Sequence, residues 1–256
     1  MTNDNRSISK LSNYFSNWRE LCNDKGISPV VDIAHTTKFT IGEYFHQKVY
    51  NFYRKYKDCA KMGKRSLTIR NIDPIYNYLK YESGIESVIS KMAGMDFVLH
   101  PMRSEAYLYN LTPDKAVQDN IDNWHYDYMP FVFVYMIEKD DPESGKLVLN
   151  LDGKMVEVNL NVGEGIFMQG SQIKHLAKRC SQGNRTTLVL SFVPRDVTVR
   201  DNTYIKEGMC PYHQGENLHK QYIDFKNERI YRLIQMKRDI DRLINREIED
   251  ITRSRL

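Results

Sequence analysis

The sequence predicts a mainly antiparallel β protein with helices before and after its sheets. Between about residues 95 and 195, short runs rich in Val, Ile, Leu, Phe and Tyr alternate with turn residues, which is typical of successive β-strands. On both sides of this region, apolar residues recur at three- and four-residue steps, the spacing of one helix face. The chain contains neither a G-x-G-x-x-G run nor a Walker loop, so a nucleotide-binding βαβ fold has no support.

The strand pattern can be followed segment by segment. Strands are expected near 96–100, 104–110, 131–137, 146–150, 155–160, 165–168, 174–179 and 185–193. Asp152-Gly153 lies between two of them as a tight hairpin turn, because glycine adopts the positive φ that such turns require. Strands this short, with connections this tight, favour an antiparallel sandwich or jelly roll.

The flanking regions are predicted to be helical. Residues 1–94 are expected to pack on the core as helices near 11–21, 44–53 and 75–92, the last interrupted near Gly84. Residues 95–200 would form the jelly-roll core, and residues 201–256 a helical extension of the same folded domain.

The C-terminal extension, from about Asn217 to Leu256, is predicted to form one long amphipathic helix or two shorter ones. The preferred interpretation is a helix packed on the outside of a sheet. A coiled-coil contact that makes a homodimer is the alternative, although Lys226, Lys237 and Glu247 interrupt the apolar seam expected of a regular zipper.

Composition excludes several classes of function. The 256 residues carry a net charge of +4 that is spread along the chain, so no nucleic-acid partner is expected. No window approaches the roughly 18 consecutive apolar residues of a membrane span, and the N-terminus does not resemble a secretion signal, which predicts a cytoplasmic protein without a membrane partner. Four cysteines without C-x-x-C spacing support neither a disulfide framework nor a thiolate zinc site: Cys22, Cys59, Cys180 and Cys210.

One group of residues predicts chemistry. Trp124-His125-Tyr126-Asp127 precedes a strongly apolar strand, and residues two apart in a strand point to the same face. His125 and Asp127 can therefore present a nitrogen and an oxygen to one ion, and His175 can supply a third ligand from a later strand. Non-haem ferrous oxygenases bind their iron with two imidazoles and one carboxylate, and the opposite coordination positions of the iron stay open.

The order of these residues resembles the iron(II)- and 2-oxoglutarate-dependent dioxygenases. In that family an H-x-D pair is followed by a distal histidine and then by a basic residue, which here is Arg185. The resemblance covers roughly residues 95–195 and is loosely to the phytanoyl-CoA hydroxylase-like branch. It implies a double-stranded β-helix (jelly roll, cupin-like) core, with His125, Asp127 and His175 as catalytic iron ligands.

The same resemblance implies a cosubstrate site and a reaction. Arg185 would form an ion pair with the distal carboxylate of 2-oxoglutarate, and Thr187 would add a hydroxyl hydrogen bond. Dioxygen would complete the reaction, which releases succinate and carbon dioxide and hydroxylates a small molecule such as an amino acid or a natural-product intermediate. Halogenating relatives carry a small residue in place of Asp127, so its carboxylate favours hydroxylation.

A polar strand supplies candidates for contacts with the substrate. Arg103, Glu105, Tyr107 and Tyr109 alternate and so share one strand face. In the resembling fold this strand lines the pocket, which implies that Arg103, Glu105 and Tyr107 contact the substrate and that Tyr109 contacts the cosubstrate. A polar outer face of a sheet would show the same pattern.

Two other functions are compatible with the sequence. A cupin-like metal enzyme would use the same barrel without a keto-acid, and a β-sandwich binding or scaffold protein would carry these His and Asp residues incidentally. Arg185 distinguishes the cupin-like enzyme from the dioxygenase, because an enzyme that needs no keto-acid would not depend on it. The alternative for Arg185 itself is an ordinary strand-end arginine that faces solvent. Arg179 and Arg195 compete with it for the cosubstrate role.

Overall fold

The protein is described by a computed structural model that covers residues 36–56, 66–69, 73–102, 107–111, 121–151, 153–199, 201, 203–205 and 218–253. The helix predicted near 11–21 lies outside these residues. In chain order the elements are β1 (Thr36–Thr40), α1 (Glu43–Tyr56), β2 (Ser66–Thr68), α2 (Pro74–Asn77), a π-helical turn (Tyr78–Glu82), α3 (Ile85–Ala93), β3 (Phe97–Leu99), β4 (Tyr107–Leu111), β5 (Phe131–Lys139), β6 (Leu147–Leu151), β7 (Lys154–Val158), β8 (Glu164–Met168), β9 (Lys174–Ala177), β10 (Arg185–Pro194) and α4 (Leu218–Arg253).

The strands form two antiparallel sheets. The larger sheet has seven of the described strands in the order β1-β8-β5-β10-β4-β2, and β3 pairs with the end of β10. The smaller sheet has the order β7-β6-β9. An isolated bridge between His125 and His175 adds the segment before β5 to the open edge of β9.

The central strands of the larger sheet are covered on both faces. Phe131, Phe133 and Tyr135 of β5 pack with α1 and α3 in one apolar cluster. The alternate residues Val132, Val134 and Met136 pack with Leu149 of the smaller sheet in a second cluster, between the sheets. A strand buried on both faces has no polar alternation, which explains the continuous apolar run of β5.

Each strand expected between residues 95 and 195 is present, within a few residues of its predicted bounds. The first residues of the strand expected at 104–110 lie outside the described residues. Gly153 follows the β6 end with φ +85°, as the hairpin requires, and its N–H donates to Asn150 Oδ1 at 2.8 Å. Gly84, with φ +65°, interrupts the helical region where the sequence predicts a break.

Two strands lie within the N-terminal region that the sequence predicts as helical. β1 pairs with β8, and β2 pairs with β4, so both add edge strands to the larger sheet. β1 is five residues long and β2 is three. Runs this short carry too few alternating positions to be separated from the helical pattern around them.

The C-terminal helix α4 is one continuous helix that begins and ends close to its predicted bounds. Its first turns pack on the body through the buried side chains of Leu218 and Phe225. Arg229 Nη2 donates to the carbonyls of Val197 and Val199 at 2.9 and 2.7 Å. None of the helices in the described part of the chain is both long and apolar enough to span a membrane.

Gly165 leaves room for an aromatic ring inside the larger sheet. It pairs with Phe39 and Tyr135, and a Cβ atom at Gly165 would lie 2.2 Å from Phe133 Cε2. The Phe133 ring stacks on Phe39 with the ring centroids 5.1 Å apart. The glycine therefore allows two rings to pack across three strands.

We predict that Gly165→Ala lowers the free energy of unfolding by about 1–3 kcal/mol, because the added methyl group displaces the Phe133 ring from a filled core. Urea unfolding followed by circular dichroism measures this. Gly42→Ala is the matched control, since its Cβ would meet no described atom within 4 Å. Equal stability of the two variants would contradict this account of the packing.

Candidate metal centre

The site is built on a backbone bridge between two histidines that are fifty positions apart. The His125 N–H donates to the His175 carbonyl at 3.0 Å, and the His175 N–H donates back to His125 at 2.9 Å. Residues that are directly opposite in an antiparallel pair present their side chains to the same face. The two imidazole rings consequently lie side by side, with centroids 4.4 Å apart.

This pair faces the interior between the two sheets. On the other side of β9, His175 is in register with Leu149 of β6, so the three residues form one row across the smaller sheet. Leu149 is fully buried in the apolar cluster between the sheets. The row therefore points both imidazoles into that interior, with His175 buried and His125 nearer the surface.

Asp127 is held beside the histidines by a close approach of the backbone. Its N–H donates to the Gly170 carbonyl at 2.9 Å, just beyond the end of β8. A Cβ atom on Gly170 would lie 2.3 Å from Asp127 Oδ2 and 2.9 Å from Val132 Cγ2. Only glycine leaves space for the carboxylate at this point.

The three side chains direct donor atoms at one another. Asp127 Oδ1 lies 3.5 Å from His125 Nε2, and Asp127 Oδ2 lies 3.5 Å from His175 Nε2. One ligand atom from each of the three lies within 4.8 Å of the others. Two atoms bound at right angles to one ion, each about 2.1 Å away, are about 3 Å apart. Small side-chain movements would thus place an ion among them.

Backbone carbonyls fix the orientation of both imidazole rings. His125 Nδ1 lies 2.8 Å from the Asn123 carbonyl, and His175 Nδ1 lies 2.7 Å from the Ile173 carbonyl. A carbonyl can only accept, so each Nδ1 carries a hydrogen, and in the neutral ring Nε2 keeps a free lone pair. Hydrogen bonds of this kind fix the tautomer of metal-binding histidines.

The charges of the site favour an ionised carboxylate. Burial acts to raise the pKa of Asp127, but the neighbouring charges of His175 and His125 hold that pKa below its usual value. Burial acts to lower the pKa of His125, yet the hydrogen bond and charge of Asp127 raise it to about 9. A cation bound here would replace the proton of His125 beside Asp127.

Arg185 lies inside the protein and not at its surface. It begins β10 and shares a strand face with Thr187, which is in register with the inward-facing Met136. Arg185 is only 2% exposed, and its Nε donates to the Gly145 carbonyl at 2.9 Å, next to the start of β6. The side chain therefore crosses from the larger sheet to the smaller one, which excludes the solvent-facing alternative.

For most of the other predicted site residues, the structure describes the backbone alone or nothing. Arg103 and Glu105 lie outside the described residues. Tyr107 and Tyr109 belong to β4, where their Cα atoms are in register with Leu190 and Leu188 of β10, but their side chains lie outside the described part. The competitor Arg195 is largely exposed and lies 3.8 Å from Glu86 on the helical side of the larger sheet.

Sequence reasoning missed the groups that support the site. The functional side chains are held by Gly170 and by the carbonyls of Asn123, Ile173 and Gly145. Every residue has a carbonyl group, so the sequence does not show which carbonyls accept these hydrogen bonds. Gly170 had a faint signal, because Gly170-Ser171 ends an apolar strand five residues before His175. Its role follows only from the atoms that surround it.

Comparisons with known proteins identify the fold. No protein-family model and no curated protein sequence matches the chain. Among solved structures, the fold is similar to SnoN, the non-heme alpha ketoglutarate dependent epimerase from nogalamycin biosynthesis, at 13% identity over 69% of this chain and 82% of that chain, with a TM-score of 0.50. It is also similar to a prolyl 4-hydroxylase from Phytophthora capsici, at 10% identity over 73% of this chain and 68% of that chain, with a TM-score of 0.50.

The resemblance inferred from the sequence is thus confirmed at the level of the fold. The chain shares the β-rich fold of 2-oxoglutarate- and iron(II)-dependent oxygenase structures. At these identities the likeness is one of fold, and the chemistry has to be argued from the side chains described above.

We predict that Gly170→Ala weakens the binding of a divalent cation by roughly 10- to 100-fold, the usual effect of disturbing a group that positions a metal ligand. The added methyl group would push the Asp127 carboxylate away from the histidines. Anaerobic titration with Co²⁺ alone measures the affinity, with Gly42→Ala as the control for an alanine placed in open space. Unchanged Co²⁺ affinity in a folded Gly170→Ala protein would contradict the positioning role of this glycine.

Proposed function

We propose that the protein is a non-haem iron oxygenase that uses 2-oxoglutarate and dioxygen to hydroxylate a small organic substrate. The observation that carries this proposal is the convergence of two imidazoles and one carboxylate at the interior between the sheets. This ligand set leaves half of an octahedral coordination sphere open, as ferrous oxygenases require.

The strand order supports a double-stranded β-helix as the catalytic core. From β4 onward, the chain passes to the His125 segment, then to β5, then through the β6–β7 hairpin to β8, β9 and β10. Apart from that hairpin, successive segments alternate between the larger and the smaller sheet. Such alternation is the path of a jelly roll, and it brings residues from distant strands to one interior.

In the proposed enzyme, His125, Asp127 and His175 hold the iron. The bound iron, with 2-oxoglutarate and dioxygen, supplies the oxidation of a substrate C–H bond, with release of succinate and carbon dioxide. The chain fixes the three ligands through the carbonyls of Asn123 and Ile173 and through the space left at Gly170. The carboxylate of Asp127 would itself be an iron ligand, which favours hydroxylation over halogenation.

Arg185 is the proposed anchor for the distal carboxylate of 2-oxoglutarate. Its guanidinium group offers a planar fork of donors that matches a carboxylate in geometry and charge. It is buried at the same interior as the histidines, and its hydrogen bond to Gly145 fixes the side chain. Thr187, two residues along the same strand face, is buried and is the proposed second contact.

The proposed substrate approaches from the side of His125. The side chains of His125 and Asp127 are 37% and 25% exposed, while that of His175 is 5% exposed, so the site opens toward the His125 segment. Behind it, the apolar cluster between the sheets excludes water from the deep side. Arg103 and Glu105 remain proposed substrate contacts, with an amino acid or a natural-product intermediate as the proposed substrate. The strand register does not support the contacts expected of Tyr107 and Tyr109, because their partners Leu190 and Leu188 belong to the apolar cluster on the helical face of the larger sheet.

We predict that Asp127→Ala and His175→Ala each abolish succinate formation, because two remaining ligands do not hold iron at the site. The assay supplies iron, ascorbate, 2-oxoglutarate and a panel of amino acids and other metabolites, and succinate is quantified. Metal content after anaerobic loading is measured on the same samples.

Met155→Ala is the matched control, since Met155 is an exposed residue of β7 away from the site. It should retain one iron per chain and full succinate formation. Normal turnover by either ligand variant would refute the ligand assignment, and a wild-type chain that retains no iron would favour a binding or scaffold protein.

We predict that Arg185→Ala weakens 2-oxoglutarate binding by about 10²–10³-fold, the effect of removing one partner of a buried charge pair, at 1.4 kcal/mol for each factor of ten. Binding to the Co²⁺-loaded protein is measured by calorimetry. 2-Oxopentanoate, which has the chelating end but no distal carboxylate, should bind wild type and variant equally.

The 2-oxoglutarate affinity of Arg185→Lys should fall between those of the wild type and Arg185→Ala, because lysine keeps the charge and loses the planar fork. Arg195→Ala, at the exposed competitor, should bind 2-oxoglutarate like the wild type. Equal loss for both ligands would assign Arg185 a structural role, and activity that is indifferent to 2-oxoglutarate would favour a cupin-like metal enzyme.

A further inference from the structure

The outer part of α4 exposes a long apolar face. Nine aliphatic side chains share this face, and each is between 39% and 58% exposed: Ile230, Leu233, Ile234, Met236, Ile240, Leu243, Ile244, Ile248 and Ile251. At 100° per residue they occupy about half of the helix circumference. We call these nine residues the α4 face.

The base of α4 is firmly attached, while its outer part is not covered by the described body. Lys226 forms an ion pair with Asp201, and Phe225 packs against His100 with ring centroids 4.6 Å apart. From Met236 to Arg253, by contrast, every side chain is exposed among the described residues. The helix thus presents its apolar side beyond the sheets.

The size of the α4 face suits an interface. It runs about 32 Å along a helix of about 10–12 Å diameter, which gives about 500 Å² of surface on each chain. That is at the upper range of apolar patches on monomers. Two such faces together bury about 1,000 Å², which is the lower limit expected of a biological protein interface.

We propose that the α4 face binds the same face of a second copy of this chain, with the two helices antiparallel and the two-fold axis near Ile240. This inference is independent of the proposed enzymatic function. The α4 face begins at Ile230 and ends at Ile251, so its midpoint falls at Ile240–Asp241. With the two-fold axis at this midpoint, the face of one chain lies along the full length of the same face of the other.

The antiparallel arrangement pairs apolar residues at the centre and at both ends of the face. Ile240 lies beside Ile240 of the partner subunit. Met236 lies beside Leu243 of the partner subunit, and Ile230 lies beside the partner's Ile251. The described contacts of α4 with the body involve residues up to Arg232, whose Nη2 donates to the Arg195 carbonyl at 3.2 Å, so they overlap only the first turn of the paired segment.

Charge decides between antiparallel and parallel pairing. Lys237 and Glu247 interrupt the α4 face, and in a parallel pair each would meet its own copy, which places like charges together. In the antiparallel pair, Lys237 lies near Asp241 of the partner subunit. Lys237 already contacts Asp241 in its own helix at 2.7 Å, so two lysines and two aspartates alternate around the axis.

The polar side of the helix argues against a membrane or a nucleic acid as the occupant. Between residues 230 and 253 there are six basic and five acidic residues, with the two signs interspersed. Helices that lie on anionic lipid are rich in lysine and arginine on the polar side, and phosphate-binding surfaces likewise need concentrated positive charge. A mixed charge pattern suits another protein surface of the same kind.

The first test is the mass of the full chain in solution. We expect sedimentation equilibrium to give twice the 30.2 kDa chain mass at micromolar concentration. Ile240→Lys should raise the dimer dissociation constant by about 100-fold or more, because the change occurs twice at the centre of one interface.

Asn245→Lys adds the same charge five residues along, on the polar side of the helix, and should leave the dimer intact. Circular dichroism establishes that both variants keep their helix content. A monomer at all concentrations would overturn the proposal and indicate another occupant, such as residues 1–35 or a different protein. A dimer that resists Ile240→Lys would place the interface elsewhere.

The second test is the direction of the helices. Ile240→Cys should form an interchain disulfide above the background of the native cysteines, because residue 240 lies beside its own copy. Leu233→Cys should not, since the two copies of residue 233 lie about 21 Å apart in the antiparallel pair, beyond the reach of a disulfide. Efficient crosslinking of Leu233→Cys would overturn the antiparallel arrangement.

Discussion

The candidate active site depends on one pair of backbone hydrogen bonds. His125 and His175 exchange N–H and carbonyl groups, and this bridge holds two imidazoles on one face although fifty residues separate them. Asp127 then needs only to follow two residues later, where Gly170 leaves room for its carboxylate. The candidate metal ligands are therefore positioned by sheet geometry, and a strand slip of one residue would turn His175 away from the interior.

The two faces of the larger sheet have different surroundings. The larger sheet is covered by α1 and α3 on one face, so aromatic residues of β5, β8 and β10 form a rigid layer there. Its other face and the smaller sheet enclose the interior that receives His125, His175 and Arg185. Because Arg185 reaches across to Gly145, the proposed cosubstrate anchor also ties one sheet to the other.

The two parts of the C-terminal helix differ in their contacts with the body. Its base is fixed by local contacts such as Lys226 with Asp201, whereas its outer part carries an apolar face that the described residues leave exposed. The described contacts of this helix with the body lie in its first turns and involve residues that border the larger sheet, such as His100 and Val197. The interruptions by Lys237 and Glu247, which weigh against a parallel zipper, are compatible with an antiparallel pair.

The sequence by itself determined the strands of the core, because apolar runs between turn residues reflect burial that each strand requires locally. It also determined the outline of α4, from its helical period, and the residue types of the site in their chain order. Only the tertiary structure decided that His125 meets His175, that Arg185 is buried, that Gly170 admits Asp127, and that β1 and β2 join the larger sheet. These facts depend on partners distant along the chain, and the spacing of residues in a sequence does not specify which strands become neighbours.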